Sequence, residues 1–370
     1  MGEKINAVVT VMLLSAIILI FTVTDMTKED RIFSETENRM LASRPEFSGE
    51  SLLNGSFSRD YETYVTDQFV SRDKWISIKT HLDVLLQKQE IGGVYLGKDG
   101  YLLEQHLPED YPRETVEKRL ALLERLVEDW NADVMLVPTA DNILTDKLPG
   151  NAPYFQQEEF LEEVEKRVGR EHYVDAFSML KEHGEEEIYY RTDHHWTSLG
   201  AYYGYLAWAD FSGKDAYLYN PNAMELAATD FLGTLHSKMN ISWKSDSIYY
   251  FRETAEMPVT VTYDLQKTTD TLYEEAYLDT KNKYGFFLDD NHALVEINTG
   301  NQTGKTLFVI KDSYANCFVP LLLPHYDTVY MLDLRYYNGR LYQLLEQYAM
   351  EADILVLYNC IHFLEDFVYA

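Results

Sequence analysis

Aspartate, two histidines and tryptophan follow one another at Asp193-His194-His195-Trp196, within the stretch Arg191 to Tyr203. On an extended segment, residues two apart point the same way. Asp193 and His195 therefore share a face, and His194 points to the other. A carboxylate on one ring nitrogen orients an imidazole and readies its second nitrogen to take a proton. A hydroxyl it can activate stands far away in sequence, at Ser313 in Lys311-Asp312-Ser313-Tyr314. Ser313 follows the apolar run Thr306 to Ile310, which reads as a strand, and precedes an apolar stretch that reads as a helix. A serine at such a turn lies where open parallel sheets bind ligands, beside helix N–H groups that can stabilise an oxyanion. The same position suits a plain helix cap by Ser313 or Asp312, and position alone favours the cap. Asp193, His195 and Ser313 supply the three types of an acyl-transfer triad, but only the fold can bring them together. Asp193, His194 and His195 are also metal-ligand types. Adjacent histidines on an extended segment face opposite ways, which makes joint ligation awkward, and no metal or cofactor is expected.

The elements that must position these residues alternate between helix and strand. A hairpin is expected over Val94 to Leu103, turning at Gly97-Lys98-Asp99-Gly100. The apolar spacing predicts helices over Thr115–Trp130 and Gln157–Val168, and a strand over Val134–Pro138. His172 to Asp175 reads as a short strand. Thr197 or Ser198 is placed to cap a helix running to about Phe211. Residues 213–300 read as a β-rich insertion, with alternating patterns near Ile248 and Val259. Strands at Thr306–Ile310, Thr328–Leu332 and Ile354–Tyr358, with a helix over Gly339–Met350, complete an α/β pattern. Such alternation implies a mostly parallel sheet covered on both faces.

Composition narrows the setting. The net charge of -29 repels phosphate backbones, so no nucleic-acid partner is expected. Cys317 and Cys360 are the only cysteines, too few for a disulfide framework and set in apolar surroundings. Ala7 to Val23 is almost wholly apolar, between Lys4 and Asp25. It fits an uncleaved signal anchor that leaves the rest of the chain outside the cytoplasm. Residues 1–24 are thus read as the anchor, 25–90 as a stalk with amphipathic helices, and 91–370 as the main domain.

Several stretches together carry a family likeness: Ser34 to Arg39 with Arg44-Pro45, Gly97 to Leu102, Pro138-Thr139, Asp193 to Trp196, and Asp312-Ser313-Tyr314. The sequence resembles the DHHW family of bacterial extracytoplasmic proteins over roughly residues 30 to 365. That family is similar to the alginate and cellulose O-acetyltransferases, whose domains are SGNH-hydrolase-like. The resemblance implies a three-layer α/β/α fold. It implies Ser313 as the acyl-accepting nucleophile, His195 as its base and Asp193 as the residue orienting His195. In those acetyltransferases Asp and His precede Ser, as here. It also implies a cell-surface polysaccharide as acceptor and an acetyl donor supplied by a multi-spanning membrane acyltransferase. An esterase on the same triad and a non-catalytic glycan-binding scaffold are the alternatives. Asn291 is a candidate second oxyanion donor, Arg335 a candidate for an anionic sugar, and Trp196 either packs under the loop or stacks on sugar. Asp141-Asn142 face the same sheet edge. Lys311 stands where many SGNH-type domains have glycine, and no Gly-x-Asn block is evident.

Overall fold

The computed structural model describes residues 2–34, 36–37, 39–241 and 243–368. Glu35 and Asn38 of the family-like stretch lie outside the described residues. The chain divides into two compact units, one of residues 1–88 with 239–241 and the other of 89–238 with 242–370.

In the first unit, helix Gly2–Thr27 contains a stretch, Ile5–Asp25, with mean hydropathy 2.6 and none of it buried. That is long and apolar enough to cross a membrane. Short helices follow at Gly49–Leu53, Ser56–Asp67 and Arg72–Leu85. Asp67 ties the segment before them down, accepting hydrogen bonds from the Arg39 guanidinium at 2.6 and 2.9 Å and from Ala42 N at 2.9 Å.

The second unit is built on a seven-stranded sheet. Its strands are β1 (Asp133–Val137), β2 (Thr260–Tyr263), β3 (Lys267–Thr269), β4 (Leu294–Asn298), β5 (Thr306–Lys311), β6 (Thr328–Asp333) and β7 (Asp353–Asn359). The spatial order is β1-β7-β5-β6-β4-β2-β3. The four strands β1, β7, β5 and β6 are parallel, and β4, β2 and β3 extend the sheet antiparallel. Sequence tracks this difference. Leu307 to Ile310 and Val134 to Val137 are apolar at every position and buried throughout, as a strand covered on both faces must be. In β2 and β4, Val261, Tyr263, Val295 and Ile297 are buried, while Thr260, Thr262, Glu296 and Asn298 are not. That period of two marks a sheet with one face toward water.

Helices cover the sheet in two groups, giving a three-layer α/β/α domain of SGNH-like fold. Arg113–Trp130, Gln157–Val168 and Cys360–Asp366 form one group, and Ala176–Glu182, Ser198–Ser212 and Ala315–Leu322 the other. Arg113–Trp130 buries Val116, Leu120, Leu123, Leu126 and Val127, one stripe at helical spacing. Each such side chain contributes about 1.5–3 kcal/mol by leaving water.

Two segments depart from their expected forms. His172–Asp175 makes a 3-10 turn at Arg170–His172 and a single bridge from Tyr173 to Val134, too short for a strand. Within 213–300, strands β2, β3 and β4 join the main sheet. Glu225–Phe231 pairs with Asp246–Tyr250 in a separate, bulged hairpin, and Thr234–Met239 is helical.

The order of crossovers decides where a site belongs. From β5 the chain passes to β6 on one side, then returns to β7 on the other. The carboxyl end of β5 is therefore a topological switch point, where the flanking connections diverge and leave a crevice.

Candidate active site

Ser313 lies at that switch point, two residues beyond Lys311, the last residue of β5. The turn into helix Ala315–Leu322 is fixed by Asp312, not by the serine. Asp312 Oδ1 accepts Tyr314 N at 2.9 Å, while Oδ2 accepts Asn359 N at 3.0 Å, Asn359 Nδ2 at 2.9 Å and His362 Nδ1 at 2.9 Å. Burial would raise the Asp312 pKa. The His362 hydrogen bond and charge outweigh it, and the carboxyl is held below its ordinary value. With Asp312 holding the turn and no side chain capping the helix, Ser313 Oγ is left for other work.

The partner comes from the loop before helix Ser198–Ser212. Tyr190 N bonds His195 O and Thr197 N bonds Ile188 O, closing the loop on itself. Asp246 pins its start through Arg191 N, Thr192 N and Thr192 Oγ1 at 2.9, 2.8 and 2.6 Å. Thr197 then caps the helix through Gly200 N. On this frame His195 Nε2 stands 2.8 Å from Ser313 Oγ, and His195 Nδ1 stands 2.5 Å from Asp193 Oδ1. All three residues are at most 5% exposed.

Asp193 is itself saturated. Oδ1 also accepts His195 N at 3.0 Å, and Oδ2 accepts Thr234 N at 2.8 Å and Thr234 Oγ1 at 3.1 Å. Burial would raise its pKa. The charges of His194 and His195 and these hydrogen bonds prevail, and the group stays far below the ordinary carboxylate range. Gly233 makes room for it, since a Cβ there would lie 2.3 Å from Asp193. An ionised Asp193 on Nδ1 fixes the proton there, so Nε2 presents a lone pair to the serine hydroxyl.

Tyr284 supports the triad from the side. Its ring stacks on His195 with centroids 3.7 Å apart and 11° between planes, and its hydroxyl donates to Ser313 O at 3.2 Å. The Ser313 N–H has no acceptor among the described residues. It is available to a developing oxyanion.

Comparison with known proteins fits this geometry. A family model described as DHHW protein matches residues 125–332, more than half of the sequence. The chain belongs to the DHHW family. Among solved structures, a DHHW family protein from Eubacterium siraeum superposes with TM-score 0.61 and 21% identity, over 76% of this chain and 97% of that one. Bacillus cereus PatB1 with a sulfonyl adduct gives TM-score 0.56 and 21% identity, over 73% and 97% of the two chains. A second structure of Bacillus cereus PatB1 gives 0.55 and 21%, over 72% and 95%. Comparison with curated proteins returned no match.

The four letters of the DHHW motif have four different environments. Asp193 and His195 face Ser313. His194 turns aside, with Nδ1 2.7 Å from Thr234 Oγ1. Thr234 Oγ1 donates to Asp193, so its oxygen accepts the His194 Nδ1–H. Burial, and then the charge of His195, push the His194 pKa down to about 3. Asp193, His194 and His195 place ligand-type atoms within 4.8 Å of one another. Those atoms are engaged with each other and with Thr234 in a hydrogen-bond relay. Trp196 is fully buried, stacks on Phe318 and donates Nε1–H to Tyr314 O at 3.0 Å. It packs under the serine turn and does not present a face to sugar.

The remaining candidates are tied to neighbouring side chains. Asn291 Nδ2 donates to Asp290 Oδ1 at 2.9 Å, and Asn291 Oδ1 accepts from Lys311 Nζ and Asn316 Nδ2. That cluster fixes the amide, with one of its two Nδ2 protons given to Asp290. Lys311 Nζ also donates to Asn316 Oδ1 at 2.8 Å and lies 3.5 Å from Asp333. Burial lowers its pKa. Arg335 is ion-paired to Asp333 through Nε and Nη2 at 2.9 and 2.6 Å. Asp141 and Asn142 close a loop after β1 with Thr139 and Gln157. Sequence reasoning missed Thr234, Tyr284, Asn359 and His362. Asn359 ends β7 and His362 lies in the helix that follows, at the edge that holds Ser313, so reading the residues at the end of every parallel strand finds them. Thr234 and Tyr284 lie in 213–300, where no pattern distinguishes them.

Proposed function

We propose that this chain is an extracytoplasmic O-acyltransferase that moves acetyl groups onto a cell-surface polysaccharide through an acyl-Ser313 intermediate. One observation carries the proposal: Asp193, His195 and Ser313 form a continuous hydrogen-bonded chain at the switch point of the sheet. His195 Nε2 takes the Ser313 hydroxyl proton as Oγ attacks the donor's carbonyl carbon. The Ser313 N–H stabilises the oxyanion, and the tetrahedral species collapses as His195 returns the proton to the leaving oxygen. An acceptor hydroxyl then gives its proton to His195 and attacks the acyl carbonyl. The new ester departs, and the proton returns to Ser313 Oγ. The carbohydrate acceptor and the acetyl-exporting membrane partner rest on the family resemblance. So does the placement of the domain outside the cytoplasm. Helix Gly2–Thr27 fits a signal anchor, with Lys4 before its apolar stretch and Asp25 at its end.

The test uses the purified chain with 4-nitrophenyl acetate, with and without an oligosaccharide acceptor. The proposal expects acetylated oligosaccharide, lost with both Ser313→Ala and His195→Ala. Donor turnover with no acetyl on the sugar favours an esterase. Turnover and acetylation unchanged in both variants favour a non-catalytic scaffold.

A further inference from the structure

Helix Arg72–Leu85 is turned inside out. Its buried positions include Thr80 and Asp83, with Thr80 Oγ1 donating to Met239 O at 2.8 Å. Its exposed positions include Trp75, Ile78, Leu82 and Leu85, at 47%, 50%, 53% and 77% exposure, and Leu86 beyond it at 73%. The spacings of three, four and three residues put these four on one stripe. A surface helix in water shows the opposite arrangement, and a contiguous apolar stripe of this kind marks a surface that something covers.

What covers it follows from where the stripe starts. Within the same unit, Phe21 of the apolar helix stacks on Phe69 with centroids 5.7 Å apart and lies 6.0 Å from Trp75. Phe21 is near the end of the stretch Ile5–Asp25. If that stretch spans a bilayer, Phe21, Phe69 and Trp75 sit at the level of the headgroups, where aromatic side chains concentrate. The stripe is then continuous with the lipid-facing surface of the span. Residues 72–88 hold Arg72, Lys74, Lys79 and Lys88 against Asp73 and Asp83, a local excess of positive charge in a chain of net charge -29. Arg72 pairs with Glu37, and Lys79 and Lys88 share Asp83, so part of that charge is already balanced within the chain. Pairing with a second copy fits less well. The stripe is only about two heptads long, and Lys74 and Lys79 flank it at the positions where a coiled coil sets unlike charges.

We infer that helix Arg72–Leu85 lies in the membrane interface, with Trp75, Ile78, Leu82 and Leu85 toward the acyl chains and its lysines among anionic headgroups. This rests on the reading of Ile5–Asp25 as a membrane span. It gives the anchor a second contact with lipid, and it presents the exposed apolar stripe to a surface that matches it.

The experiment places single nitroxide labels on the full chain in nanodiscs of phosphatidylcholine and phosphatidylglycerol. Labels go at Leu82→Cys and Leu85→Cys, at Ile18→Cys in the span, and at Arg59→Cys, whose side chain is 77% exposed. Cys317 and Cys360 are buried. Labels at 82 and 85 should collide with oxygen several-fold more than with a water-soluble nickel complex, as at 18, and label 59 should show the reverse. Labels at 82 and 85 that match label 59 overturn the inference and leave the span intact. Labels at 82 and 85 shielded from both reagents point to protein cover, and also overturn it. A water-exposed label at 18 overturns the span and this inference together.

Discussion

At Asp193 both carboxylate oxygens are filled, and that fixes what each neighbour can do. Oδ1 orients His195, and Oδ2 holds Thr234, which in turn receives His194. His195→Ala should therefore cost about as much activity as Ser313→Ala, on the order of 10⁴-fold or more in kcat, because triad members act as a unit. His194→Ala should cost far less, since His194 packs beside His195 and bonds Thr234 but does not reach Ser313 in the hydrogen-bonded chain. Steady-state acyl turnover of the three variants gives the comparison. Asp193→Asn keeps the size but offers an amide to Nδ1, and should cost about 10³–10⁴-fold by favouring the wrong tautomer. The types of these residues were readable from sequence, and so was the choice of His195 over His194, because alternation along an extended loop separates the two faces. What holds the turn was not. Ser313 and Asp312 both read as caps, but the helix starts after Tyr314 without a side-chain cap, and Asp312 holds the turn before it through Tyr314 N, Asn359 and His362.

The elements place the triad by close contact between segments far apart in sequence. The Asp193 carboxylate fits against Gly233, at the start of a short helix that sequence patterns do not reveal. Gly233→Ala brings a methyl group to 2.3 Å from Asp193. It should destabilise the fold by about 1–3 kcal/mol and reduce turnover more than that loss of stability explains, since Asp193 must move. Thermal melting read beside kcat separates the two effects. Trp196→Ala empties a buried site under the serine turn and should cost about 3–5 kcal/mol, measurable by denaturant unfolding. Strands β1, β5, β6 and β7 were legible because strands buried on both faces read as unbroken apolar runs. Strand β2 was legible as an alternating segment, but not as a member of the main sheet, and β4 was not read as a strand at all. Pairing between residues as distant as Val261 and Ile297 leaves no local signature.

On the scale of the whole molecule, stability and charge are linked through buried carboxylates. Asp193 and Asp312 both have depressed pKa values in the folded chain. A depressed value means stability that is present above the unfolded carboxylate pKa of about 3.9 and lost as the pH falls below it. The melting temperature should hold level down to about pH 5 and fall below about pH 4. His362 has the opposite sign. Burial opposes its charge, but the hydrogen bond to Asp312 and that carboxylate's charge raise its pKa. Its contribution is complete below about pH 6.5 and fades as the pH rises through its folded value. The difference in melting temperature between the wild type and His362→Gln should therefore be largest on the acid side of neutrality and shrink in alkali. The fold class was legible because helices and strands alternate over the second unit. The edge that carries the site was legible because ligands bind at the carboxyl ends of parallel strands.

The central claim is that Ser313 carries the acyl group and His195 makes it able to. The most direct measurement is mass spectrometry of peptides from the chain quenched in acid during turnover of an acetyl ester. The account predicts one acetyl group on Ser313 in the wild type and none in His195→Ala. An acetyl group on another residue, or one on Ser313 that forms as readily without His195, would contradict it.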